Sequence, residues 1–296
     1  MQTHNDEPQG EDFGPSNWGR WGEEDQRGTL NLIDPEHIRA AASLVRRGVV
    51  IPLGAPVGRL GPIDPDRDRT WHTVKYTLGP LVGEADDIIT LNSHAGTHID
   101  ALGHSILHNR MYNGYPVAEH MTSSALTRNA ISNVGAIVGR GVLLDMARHM
   151  GVDHLEMGQA ILPSQLDECA RDQGVTLGRG DICLVRTGWY SIFETERERF
   201  DAGEPGISYL AAQWFYDLGL VAFGSDNCAV DVVPGESGVE QYGLHWRVVN
   251  QQGGYLMEYL DLEELARQAA YEFLFVAAPL LISGGAGSPL NPVAIL

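Results

Sequence analysis

Asn92-Ser93-His94-Ala95-Gly96-Thr97-His98-Ile99-Asp100-Ala101-Leu102-Gly103-His104 places three imidazoles and a carboxylate in one short span. These are side chains that bind Zn²⁺ or Mn²⁺, and no other part of the chain concentrates them this way. Donors to one ion must each come within roughly 2.0–2.2 Å of it. A helix would put His94 and His98 on one face and turn Asp100 and His104 elsewhere. A strand would put all four on one side, but its rise of about 3.3 Å per residue would leave His94 and His104 roughly 33 Å apart. A strand that ends here and folds back through a turn gathers them. Gly96 and Gly103 supply permissive backbone for that turn. Asp87-Ile88-Ile89-Thr90-Leu91, β-branched and bounded by polar residues, reads as the incoming strand. A short helix is expected to begin near Asp100.

Outward from this loop, composition bounds the rest. The chain has 296 residues, of which 43% are hydrophobic, enough for a sizeable core. Lys plus Arg is 20 and Asp plus Glu is 39, a net charge of −19. Such a surface repels nucleic acid and anionic membranes. Cys169, Cys183 and Cys228 show no paired spacing, so a disulfide framework is not expected and a reducing cytoplasm fits. A cysteine nucleophile would need a histidine beside it in space. Residues 1–15 are polar and acidic, unlike a signal peptide, and read as a flexible tail ahead of a domain at 16–296. The longest apolar run, Phe273 to Ile282, is too short to span a bilayer and contains Pro279.

Elements alternate irregularly along the domain. Helices are expected at Pro35 to Arg47, capped by Asp34, at Pro163 to Gln173 with Ser164 as a cap, at Ser208 to Leu218, and at Leu260 to Ala270. Strands are expected at Val49 to Leu53, Gly141 to Asp145, Asp181 to Trp189, Leu220 to Gly224 and Glu272 to Ala278. This pattern predicts a single mixed α/β domain. Gly61 to Thr70 reads as a loop able to carry binding residues. Trp18 and Trp21 either anchor an N-terminal arm or form a substrate wall. Tyr112 lines a pocket mouth or covers the core edge. Arg186, Thr187 and Trp189 end a strand beside Gly188, and Asp226 and Asn227 follow another, where turn chemistry and a pocket rim are both open readings. Trp18, Trp21, Tyr112, Trp189 and Asn227 are the substrate-binding candidates. No nucleophile elbow, P-loop or Rossmann fingerprint is present.

His-x-Gly-Thr-His-x-Asp-x-x-x-His, as it stands at His94 to His104, resembles the signature of the metal-dependent cyclase family, which includes bacterial kynurenine formamidase and isatin hydrolase. Leu102 stands where that pattern has Pro, which removes no ligand. The similarity runs from Asn17-Trp18-Gly19-Arg20-Trp21-Gly22 to Gly287-Ser288-Pro289. It implies a mixed-sheet, swivelling β/β/α-type fold and a homo-oligomer. His245, followed by Glu258, resembles the family's second ligand pair. In the two-metal arrangement His94, His98 and Asp100 would hold one ion and His104, His245 and Glu258 a second, with Asp100 bridging. In the single-metal arrangement His104 would act on protons, and an amide or carboxylate of the later segment, where Gln251 and Gln252 also lie, would touch the metal.

A divalent Zn or Mn ion lowers the pKa of bound water and polarises a carbonyl. The implied activity is hydrolysis of an amide, formamide, lactam or lactone of a small molecule, with His104 as ligand or proton carrier. The same loop could instead serve a lyase, dehydratase or ring-closing enzyme of secondary metabolism, in which the metal stabilises an enolate. A catalytically silent metal-binding protein is the third reading.

Overall fold

The computed structural model describes residues 14–239 and 241–296. The expected tail at 1–15 falls mostly outside this range. Ser16 and Asn17 already lie on the body, both donating to Gln251 O.

Nine strands form one sheet. In chain order the strands are β1 (Val50–Pro52), β2 (Trp71–Leu78), β3 (Gly83–Thr90), β4 (His98–Asp100), β5 (Ile137–Asp145), β6 (Ala160–Ile161) and β7 (Ile182–Arg186). They continue with β8 (Gly206–Ile207), β9 (Ala222–Ser225), β10 (Tyr255–Glu258), β11 (Glu272–Ala277), β12 (Gly287–Pro289) and β13 (Val293–Ile295). The large sheet runs β1-β13-β11-β5-β7-β9-β10-β4-β12. Its centre, β5-β7-β9-β10, is parallel, and every other neighbour pairs antiparallel. The fold is a mixed α/β domain with a curled mixed sheet, in the class expected.

The central strands are apolar runs because both faces are covered. β7, Ile-Cys-Leu-Val-Arg, is buried throughout. The helix Pro35–Ala42 starts as its sequence dictates: Asp34 accepts from Glu36 N and His37 N, and Pro35 occupies the first turn. It stops before Arg47, because Arg47 N and Gly48 N turn to bond Leu296 O. The helix Pro163–Gln173 is where the pattern put it, but Ser164 is not its cap; Gln165 Oε1 accepts from Leu162 N instead. The last expected helix shrinks to Glu263–Arg267.

Two local expectations around the histidine loop change. Asp87 to Thr90 is indeed extended, but it belongs to β3, which pairs only with β2 in a hairpin exposed along both strands. No helix begins at Asp100. His98-Ile99-Asp100 is β4, gripped between β10 and β12, so the ladder on both sides uses its backbone groups.

Candidate metal centre

The chain folds back on itself at the histidine loop, and two turns flank β4. In the first, Ala95 N bonds Asn92 O and Gly96 takes φ +64°, a left-handed backbone that suits glycine. In the second, His104 N bonds Ala101 O. Gly103 serves differently from expectation: its backbone is not left-handed, but a Cβ there would meet Leu126 Cδ1 at 2.6 Å. His98 and Asp100 share a face of β4, and the two turns bring His94 and His104 onto it.

The later segment arrives by strand pairing. β10 lies beside β4 with Glu258 in register with His98. His98 Nε2 is 2.9 Å from Glu258 Oε2, and its Nδ1 is 2.9 Å from Gly96 O, which orients the ring. His245 sits on the turn Gly243–His245, with Nε2 3.2 Å from Glu258 Oε1 and 3.5 Å from Asp100 Oδ2. His94 Nδ1 approaches Asp100 Oδ1 to 2.8 Å, and His104 Nε2 lies 4.0 Å from Asp100 Oδ2. Donor atoms of His94, Asp100 and His104 fall within 4.8 Å of one another, as do those of Asp100, His245 and Glu258. All six metal-ligand candidates therefore converge around Asp100.

Their partners fit a cation. His94 Nδ1, His98 Nε2 and both oxygens of Asp100 are buried, and the close approaches between these groups lack hydrogen-bond geometry. An orphaned buried polar atom costs on the order of 1–3 kcal/mol. A divalent ion among these imidazole and carboxylate donors removes that cost. Electrostatics point the same way. Burial would raise Asp100 and Glu258, and Asp100 would raise Glu258 further, yet the surrounding imidazoles hold Asp100 well below the carboxylate range and Glu258 at about 2. Burial would lower His98 and His245, yet Glu258 holds His98 up, and Asp100, Asp231 and Glu258 do the same for His245. The cluster calls for positive charge, which protonated imidazoles or an ion supplies. His104 is the exception: burial depresses it to about 4.

Gln251 and Gln252 take no part. Their amides bond Asn250 Oδ1 and Ala212 O. The substrate candidates also lie away from the cleft, each for a packing reason. Trp18 Nε1 donates to Asn250 O, and Trp18 and Trp21 lean on the main core, the anchoring role. Tyr112 is buried with its hydroxyl on Asp25. Trp189 is the centre of a satellite core with Phe193, Phe200 and Tyr259. Asn227 is buried and ties Pro205 O to Val230 N. Arg186 pairs with Asp145 and Glu263, and Asp226 accepts from Thr187 and Gly188, so turn and packing chemistry explain both. Cys228 is no ready nucleophile: burial pushes its thiol up, and its sulfur accepts from Tyr259 Oη.

The cleft is walled instead by Asp64, Arg67, Ser105, Ile106, Tyr242 and Trp246, with His104, His245 and Glu258 at its base. Asp64 and Arg67 come from the loop expected to carry binding residues. Sequence reasoning missed Asp231, whose Oδ2 lies 2.6 Å from His245 Nδ1, and Gly287. A Cβ on Gly287 would meet His94 Cε1 at 2.6 Å. The glycine-rich turn at 284–289 thus makes room for a ligand ring.

The model of the putative cyclase family matches residues 52–232. A crystal structure described as a novel cyclase superimposes with a TM-score of 0.88 at 34% identity, covering 96% of this chain and 100% of that one. Isatin hydrolase A from Labrenzia aggregata, bound to benzyl benzoate, is similar with a TM-score of 0.63 at 20% identity over 86% of this chain and 94% of that one. A predicted metal-dependent hydrolase from Bacillus stearothermophilus gives 0.53 at 19% identity, over 83% and 97%. No curated protein matches the sequence.

Proposed function

This chain belongs to the putative cyclase family, and on that premise we propose that it is a divalent-metal-dependent hydrolase of an amide, formamide, lactam or lactone. The observation that carries the reading is the convergence of His94, His98, Asp100, His245 and Glu258: Asp100 meets His94 and His104 in one donor set and His245 and Glu258 in another, and His98 Nε2 lies 2.9 Å from Glu258 Oε2. These five would hold the ion, and zinc or manganese suits a mixed imidazole and carboxylate set. Once bound, the ion supplies carbonyl polarisation and a more acidic water.

The chain's own residues do the rest. Gly96 O and Asp231 fix the ring orientations of His98 and His245. His104 lines the cleft and has the most exposed side chain of the six, at 26%. It is the proton carrier, taking a proton from the attacking water and giving it to the leaving nitrogen or oxygen. The likeness to isatin hydrolase supports testing amides first.

Metal-loaded protein should cleave at least one member of a panel of an aryl formamide, a cyclic imide and a lactone. Oxygen-18 from water should enter the product, which a lyase or ring-closing reaction would not show. His104→Ala should keep the metal while kcat falls about 10²–10⁴-fold. A metal-loaded preparation that cleaves nothing in the panel ends the hydrolase reading.

The β2–β3 hairpin supports a homo-oligomer. Val74, Tyr76, Leu78, Leu81 and Val82 are all exposed on it. A lone two-stranded hairpin is marginal in water, and a second copy of the chain would cover this one. The base of the hairpin, Trp71 opposite Thr90, joins the cleft loop to the histidine loop. Sedimentation should show an oligomer that Tyr76→Glu with Leu78→Glu weakens; a wild-type monomer would refute it. The acidic composition and the three free cysteines support a cytoplasmic location. No helix among the described residues is long and apolar enough to cross a membrane.

A further inference from the structure

Arg67 has no task in the chemistry described so far. It lines the cleft of about 230 Å³ that also holds His104, His245 and Glu258. Its Nη1 is buried and has no hydrogen-bond partner. Burial works against its charge, but Glu258 and Asp100, followed by Cys228 and Asp64, more than restore it. The guanidinium is therefore a fixed positive donor within electrostatic reach of the metal ligands, yet none of these acidic groups engages the orphaned nitrogen.

A second cavity of about 290 Å³ adjoins the first, and Asp64, Cys228, Ala229 and Tyr242 line both. Its further walls set Phe200, Val233 and Tyr259 beside Asp66, Asp201 and Glu204, so apolar and acidic groups share them. The two cavities share a wall, with the reacting groups and Arg67 on the first and the aromatic rings of Phe200 and Tyr259 on the second.

We propose that Arg67 is a specificity-determining residue that receives a carboxylate of the substrate, while the substrate's apolar or aromatic body fills the second cavity. The planar guanidinium presents paired donors that match a carboxylate. A neutral carbonyl would satisfy the nitrogen without the charge-assisted hydrogen bond that a carboxylate makes. The word substrate rests on the hydrolase reading; the binding itself does not.

The test is therefore an equilibrium one on the metal-loaded, full-length protein. Calorimetry with benzoate and with benzamide compares the charged and neutral forms of one small aromatic probe. Wild type should bind benzoate at least about tenfold more tightly than benzamide. Arg67→Met should erase that preference, and Arg67→Lys should keep part of it, with circular dichroism and metal content showing both variants intact. Equal binding of the two probes to wild type, binding of neither, or a benzoate preference that survives Arg67→Met would each overturn the proposal. Because no turnover is read, failure of the hydrolysis panel and failure of this proposal are distinguishable.

Discussion

His98 and Glu258 stand opposite each other across the antiparallel ladder of β4 and β10, with Nε2 2.9 Å from Oε2. The backbone register itself joins the histidine loop to a residue 160 positions later. Glu258→Gln keeps the shape and removes the charge. Its affinity for zinc or manganese should fall at least about tenfold, read by elemental analysis after dialysis. Chelator should lower the melting temperature of wild type by several degrees, because a ligand at about 1,000 times its Kd contributes about 4 kcal/mol. Unchanged metal content in the variant would remove Glu258 from the ligand set.

Gly287 faces Asp100 in the β12–β4 pairing and leaves room for the His94 ring. Gly287→Ala should push that ring aside at a cost of about 1–3 kcal/mol. Metal content and turnover should drop while far-UV circular dichroism stays native. An alanine variant with full metal content would show that the ring can shift without consequence.

Asp231 acts one step behind the ligands. It holds His245 Nδ1 and also accepts from Leu244 N and His245 N, so it sets both the ring and the turn that carries it. Asp231→Asn should weaken metal binding about 10–100-fold. Titration with zinc against a competing chelator measures this. An affinity equal to wild type would mean that the turn alone positions His245.

Asp226 makes stability depend on pH away from the metal. Burial pushes its carboxyl up to about 6, against Thr187 and Arg186, which lower it. A carboxyl raised in the folded state binds its proton more tightly there than when unfolded. Its contribution is therefore full below about 4 and is lost as pH rises through about 6, on the order of 3 kcal/mol. Asp226→Asn lacks this slope. Urea unfolding at pH 5 and pH 7.5 should show the stability advantage of wild type over the variant shrinking at the higher pH. A constant difference would mean that Asp226 does not titrate in this range.

The metal motif was legible because spacing and side-chain chemistry are local. His94, His98, Asp100 and His104 could be named, and the need for a folded-back chain followed from the length of an extended strand. His245 and Glu258 came from family resemblance alone, since nothing local marks Glu258 as a ligand. Strands such as β7 and β11 were legible from their apolar runs. The ends of helices were not, because Arg47 N bonds Leu296 O and the helix at Pro163 is capped through Leu162 N on Gln165 Oε1, not by Ser164.

The cleft walls were the least legible part. Large aromatic residues attract attention in a sequence, yet Trp18, Tyr112 and Trp189 are used for packing, where large apolar area is most valuable. Arg67 and Asp231 are ordinary charged residues whose meaning depends on what lies across the cleft. The amino-acid sequence by itself determined the donor chemistry, the mixed α/β class and the fold-back at His94 to His104, because these depend on residue type and chain geometry over a few positions. Only the tertiary structure decided which carboxylate faces which imidazole, which glycine yields space to His94 and which cation is left unpaired. Those relations are set by strand register and by loops that meet from opposite ends of the chain.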